Sequence, residues 1–130
     1  MSPDGRASSG AVTLELTLEH GHSAFEPGSR VAGVAGWSAS APPARLELQL
    51  VWRAIGWGGR DFKIVETLGF DDPEARERRP FIVSLPATPY SFQGALISVS
   101  WALELSSFPG DEKLSVDIVV APGRCAVDLR

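Results

Sequence analysis

An all-β fold, with two antiparallel sheets stacked face to face, is predicted by three features of this 130-residue chain. Apolar residues recur at every second position in several segments, which buries one face of a strand and wets the other. Pro and Gly interrupt those segments at short intervals, where a strand must stop and the chain reverse. No segment carries the apolar spacing of an amphipathic helix, and a parallel α/β sheet would need such helices together with continuous apolar strands.

Residues 1–10, MSPDGRASSG, are small and polar without periodicity and are expected to form a disordered tail. The first strand follows, with Val12, Leu14, Leu16 and Leu18 alternating with Thr13, Glu15, Thr17 and Glu19. Pro27 and Gly28 make a turn into a second strand over 31–37, where Gly33 and Gly36 signal a bulge or a close backbone approach. After Pro42 and Pro43, Leu46, Leu48, Leu50 and Trp52 form the apolar stripe of a third strand. A GWGGRD loop, 56–61, leads into a fourth strand of weaker pattern, FKIVETLGF, and the charged DDPEARERR that follows reads as a solvated loop. PFIVSLP is a fifth strand ended by Pro86, which cannot donate to a ladder. The sixth carries Ile97, Val99, Trp101, Leu103 and Leu105, and the seventh, beyond the turn residues Pro109 and Gly110, carries Leu114, Val116, Ile118 and Val120. Residues 11–121 are thus expected to be one sandwich, with 122–130 a C-terminal tail or a short extra strand.

Composition narrows the function classes. A chain of this length buries about two thirds of its unfolded surface and folds without staples. The lone Cys125 cannot form an internal disulfide, so a reducing compartment is compatible with the chain. The segment MSPDGRASSG has no apolar core of signal-peptide length, and no later run is long enough to cross a bilayer, so a soluble, cytoplasmic protein without membrane insertion is expected. The formal net charge of -4 argues against a nucleic-acid footprint, which needs a basic face.

Two stretches carry a resemblance. FEPGSRVAGVA holds Pro27, Gly28, Val31, Gly33 and Ala35; FIVSLPATPYSFQGALISVSWALEL holds Leu85, Pro86, Pro89, Ser91, Phe92, Gly94 and Trp101. Together they resemble the amino-terminal domain of arrestins and their wider arrestin-like kin, over residues 11–121. The first matches a PG turn running into a V-x-G-x-V strand, with Ala35 in place of the last valine. The second matches a strand ending in Leu-Pro, then Pro-x-Ser-Phe-x-Gly and a long strand with an aromatic residue. The resemblance implies an antiparallel two-sheet sandwich of immunoglobulin-like, more narrowly arrestin-like, type, working as an interaction or scaffold module without catalysis or cofactor. Arrestins have two sandwiches and this chain accounts for one. Visual-type arrestins sense phosphate with basic residues on the first strand, whereas this strand carries Glu15 and Glu19, so phosphate sensing is not transferred.

Little in the sequence supports chemistry. His20 and His22 would point the same way on a strand and could share a metal, but Gly21 between them marks a turn and no third ligand is near in sequence. Cys125 with either histidine could form a nucleophilic pair, yet it follows Pro122 and Gly123 in the terminal segment. Asp71, Asp72, Glu74 and Glu77 are neutralised by Arg76, Arg78 and Arg79 and lack calcium-loop spacing. No metal, cofactor or catalytic residue is therefore expected.

The candidate contact surface is the loop carrying Trp57, Arg60 and Asp61, with Tyr90 as a second aromatic outside the inferred core. The expected function is a non-catalytic adaptor module that binds a protein partner through edge strands or end loops, with self-association through an edge as a secondary expectation. The alternative is a carbohydrate-binding sandwich, which would place Trp57 and Tyr90 side by side for sugar stacking.

Overall fold

The computed structural model of the chain describes residues 5–9, 12–21, 23–56, 59–87, 91–93, 97–108, 112–121 and 127–128. Its strands are β1 (Gly5–Ser9), β2 (Val12–Leu18), β3 (Ala24–Phe25), β4 (Arg30–Ala39), β5 (Arg45–Gly56), β6 (Gly59–Phe70), β7 (Arg76–Ser84), β8 (Phe92–Gln93), β9 (Ile97–Phe108), β10 (Glu112–Val120) and β11 (Val127–Asp128). A single 3-10 turn, Glu19–Gly21, is the described helical element.

One sheet has the order β1-β2-β4-β7, antiparallel throughout. The other is built on β9, which pairs antiparallel with β5 along one side and with β10 and β8 along the other. β6 closes this second sheet outside β5. Two short pairs, β10 with β3 and β11 with β8, are parallel, a departure from the fully antiparallel expectation.

The alternating stripes become the facing inner walls. Leu14, Leu16 and Leu18 of β2, Val31, Ala35 and Trp37 of β4, and Phe81 and Val83 of β7 form one wall. Leu46, Leu48 and Leu50 of β5, Trp101, Leu103 and Leu105 of β9, and Leu114, Val116, Ile118 and Val120 of β10 form the other. Each such Leu, Val, Ile or Phe contributes on the order of 1.5–3 kcal/mol when fully buried, so the stripes are the main stabilising term. Trp37 tilts against Phe70 with ring centroids 5.6 Å apart, and its indole N–H donates to the Glu74 carbonyl at 2.8 Å. A core tryptophan thereby satisfies its polar end at the rim.

The turn preceding β4 has a definite type. Ser29 N–H donates to the Glu26 carbonyl at 3.2 Å, and Gly28 has φ of 78°. A proline at the first central position and a left-handed glycine at the second define a type II turn. Its residues also clamp the far end of β7: Gly28 N–H donates to the Pro86 carbonyl at 3.1 Å and Leu85 N–H to Ser29 at 2.8 Å. Strand β7 ends just before Pro86, and it holds Pro80 opposite Val34, a residue tolerated because β7 is outermost in its sheet.

Three expectations are corrected. Residues Gly5–Ser9, read as part of a disordered tail, form β1 against β2. The charged run is no loop: Arg76, Glu77, Arg78 and Arg79 are the first residues of β7. Its inward positions are Glu77 and Arg79, which pair with each other at 2.6 Å, while the Arg79 guanidinium lies 5.8 Å from the Trp37 ring. An ion pair fills places that an apolar stripe would otherwise mark. The third correction concerns GWGGRD. Only residues 57 and 58 lie between β5 and β6, so Arg60 and Asp61 belong to a strand of a long hairpin.

Candidate interaction surface

The β5–β6 hairpin changes face partway along. Leu46, Leu48 and Leu50 pair with Phe70, Leu68 and Glu66 toward the interior, and the register then shifts between Leu50 and Val51, so that Val51 pairs with Ile64 and Arg53 with Phe62. Val65 is the extra residue of this bulge, and it packs against the core. Partners across a ladder share a face, and one inserted residue reverses the alternation. Ile64 and Phe62 therefore stand on the outer face, although their spacing from Leu68 and Phe70 in sequence matches the inward series. Phe62 and Ile55 are each 51% exposed and Ile64 is 44% exposed.

Beside this apolar group the same outer face carries a buried charge. Glu104 of β9 is only 3% exposed, and it forms ion pairs with Arg53 of β5 and, at 3.6 Å, with Lys113 of β10. The Arg53 guanidinium also lies 5.9 Å from the Phe62 ring centroid, a cation–π contact. Two cations flanking one carboxylate make its burial tolerable, and they fix the Arg53 head next to Phe62. Among the described residues every buried side-chain nitrogen and oxygen has a partner.

The site residues anticipated from sequence are dispersed or lie outside what the structure describes. Arg60 pairs with Ile55 and so shares the outer face, whereas Asp61 pairs with Ala54 and points to the opposite side; both are exposed. Adjacent strand positions cannot share a contact made on one face of the sheet. Trp57, Tyr90, His22, Cys125 and the side chain of His20 lie outside the described residues, as does the aromatic pair a sugar platform would need. Trp37 and Trp101 are core and Trp52 packs against the core. Phe62 and Ile64 were missed because a bulge is invisible to a period-two reading, whereas Ile55 falls on the outward positions of the β5 alternation itself.

The first sheet has a second surface feature, a shallow groove of about 590 Å³ lined by Thr13, Glu15, Trp37, Ser38, Arg76, Glu77 and Arg78. Glu15, Gly36 and Arg78 align across three strands, and the missing side chain at Gly36 lets the outer two lean together. The Arg79 hydrogen bond, with help from the Glu74 amide, holds the Glu77 carboxyl below its ordinary range and raises the guanidinium in turn. Mixed charge makes this groove a poor anion site. Among the described residues no group of three or more His, Cys, Asp or Glu side chains could hold a metal ion. None of the described helical residues forms a segment long and apolar enough to cross a membrane.

Two stacked sheets, the type II Pro27–Gly28 turn tied to the Leu85–Pro86 strand end, and the long β9 at the centre of the second sheet define an arrestin-like β-sandwich. Among solved structures, Spo0M, a sporulation control protein from Bacillus subtilis with the same type of sandwich, matches at a TM-score of 0.63 and 21% identity, over 88% of this chain and 51% of that one. The chain thus spans about half the length of that structure, and the likeness establishes the fold alone. The Pseudomonas fluorescens alkylpurine DNA glycosylase AlkC, bound to DNA containing an abasic site analogue, aligns over 86% of this chain and 31% of that one at a TM-score of 0.43 and 12% identity, too slight a likeness to carry an inference. No protein-family profile and no curated protein sequence matches the chain.

Proposed function

We propose that this sandwich is a non-catalytic adaptor or scaffold module of arrestin-like type, acting in the cytoplasm by binding another protein through the β5–β6 hairpin. The observation that carries the reading is the bulge at Leu50/Val51, which delivers Phe62 and Ile64 to the outer face beside Ile55, on a hairpin whose β6 pairs, among the described strands, with β5 alone. Clustered exposed apolar side chains next to a fixed arginine are the composition of a protein contact, and an open strand edge adds main-chain donors and acceptors. A regulatory role for the Bacillus subtilis structural neighbour, named as a sporulation control protein, is in keeping with this reading. One cysteine and a net charge of -4 suit a soluble intracellular protein.

The test is affinity capture from the native host with the intact chain and with Ile55→Lys/Phe62→Lys, checked by circular dichroism for an unchanged sheet. A discrete set of proteins retained by the first and lost by the second is expected. An identical set on both, with the fold intact, refutes the hairpin as the contact surface.

A further inference from the structure

We infer that the free edge of β6 is occupied by β6 of a second copy of this chain, in an antiparallel, two-fold-symmetric pairing centred on Phe62. The inference rests on the reading of the β5–β6 hairpin as a contact surface and names what takes its edge. β6 pairs with β5 along one side and with no other described strand along the other. An exposed ladder edge that bears apolar side chains is a template for a further strand; the bulge at Val65 confines the regular part of this edge to residues 59–64, and Lys63 there needs an opposite charge across the pair.

The charge pattern selects the register. Two antiparallel strands related by a two-fold axis must place one residue opposite its own copy, so each register is named by its central residue. With Phe62 at the centre, Asp61 lies opposite Lys63 of the second copy and Lys63 opposite its Asp61, two opposite-charge pairs in the positions where cross-strand neighbours interact. On the other face Phe62 meets Phe62, and Arg60 lies opposite Ile64, whose apolar surface can receive the arginine stem. Moving the centre to Asp61 or Lys63 sets like charges directly against each other, and moving it to Ile64 or beyond carries the pairing into the bulge at Val65, where the alternation reverses. Asp61, Phe62, Lys63 and Ile64 are all exposed in the single chain, so they are open to a partner strand. In the pair, Phe62 and Ile64 of both copies form one continuous outer stripe, with an Arg53 held against each Phe62. Electrostatic complementarity of this kind fixes register and partner choice more than raw affinity.

The test uses the purified full chain alone, by native mass spectrometry and sedimentation across micromolar to millimolar concentration. The wild type is expected to dimerise. D61K and K63D each place like charges at both symmetric positions and are expected to weaken self-association at least tenfold. Mixed together they restore the pairing, because every Lys then faces an Asp; the double swap D61K/K63D also restores the homodimer. All substituted positions are exposed, and circular dichroism confirms that each variant keeps its sheet.

A wild type monomeric at millimolar concentration overturns the inference, as does a dimer indifferent to either charge reversal or a mixture that forms no heterodimer. Those results are separable from failure of the adaptor reading. A monomer whose Ile55→Lys/Phe62→Lys variant still loses its captured partners sinks the self-pairing alone. A dimer that obeys the charge rule, with captured partners unaffected by that variant, sinks the adaptor reading alone.

Discussion

Gly33 offers the sharpest quantitative test of how the first sheet is assembled. It sits in β4 opposite Leu18 of β2 and Phe81 of β7. A Cβ built there would overlap the carbonyl oxygen of Thr17 and lie 3.0 Å from Cζ and 3.1 Å from Cε2 of Phe81. The phenyl ring could shift, but the carbonyl belongs to the neighbouring ladder and has no rotamer. Relief therefore requires β2 and β4 to separate, at the expense of their hydrogen bonds. Overpacking of a well-filled interior costs about 1–3 kcal/mol, and a backbone obstacle puts Gly33→Ala near about 3 kcal/mol. In a domain of this size that lowers the melting temperature by roughly 10 °C. Gly69 in β6 is the control, because its added methyl meets nothing within 4 Å and its backbone φ is not left-handed. Gly69→Ala removes the entropy cost of a strand glycine and should stabilise by about 0.5 kcal/mol. Urea titrations followed by tryptophan fluorescence measure both. Midpoints for the two variants that agree within error would refute the close-approach argument.

Three further outcomes are expected. Ser91 is buried and clamps the end of β10 twice, its N–H donating to the Val120 carbonyl at 2.6 Å and its Oγ accepting from Val120 N–H at 3.0 Å; Ser91→Ala strands that buried N–H, costs about 1–3 kcal/mol and accelerates hydrogen exchange at Val120. Arg53→Met leaves Glu104 buried with Lys113 alone and destabilises by about 1–3 kcal/mol, less than the roughly 3–5 kcal/mol of a fully buried pair because Arg53 is partly solvated; adding Glu104→Leu should recover most of it, and chemical denaturation of the wild type and the two variants tests this. Glu77 gains its hydrogen bond from Arg79 in the folded chain and so titrates below its ordinary 4.5, which makes its contribution present above that value and lost as pH falls through the lower folded one. Glu77→Gln should accordingly be less stable than the wild type at pH 7 and converge with it in urea midpoint at the acid end of a titration.

The stripes of β2, β5, β9 and β10 were legible because one face of each is buried and period-two alternation is a direct record of that. The Pro27–Gly28 turn was legible because its type demands those residues. The start of β7 was not, since Glu77 and Arg79 hold its inward places as an ion pair over Trp37. β1 was missed because nothing in GRASS marks a buried face. The exposed apolar group escaped notice for a related reason: without the bulge, Phe62 and Ile64 would continue the inward series of Leu68 and Phe70, and only the register shift puts them outside. Arg60 and Asp61 drew notice as loop residues, whereas they lie on a strand and face opposite ways. Ser91 was recognised as part of a motif, but its double tie to Val120 is a tertiary fact that no local pattern carries.

Pro80 has a consequence for growth. Outermost in its sheet, β7 lacks a main-chain donor at its midpoint, β1 is five residues long and β3 only two. Among the described strands, β10 is also open over 112–118, since it pairs with β3 only at Val119 and Val120, but it presents Lys113, Ser115 and Asp117 there, whereas β6 presents Phe62 and Ile64. Each molecule thus has a single apolar docking margin, and polymerisation needs two. Molecules joined through β6 would have used up that margin, and the assembly would terminate as a closed pair where a sandwich with a second such margin would propagate into filaments.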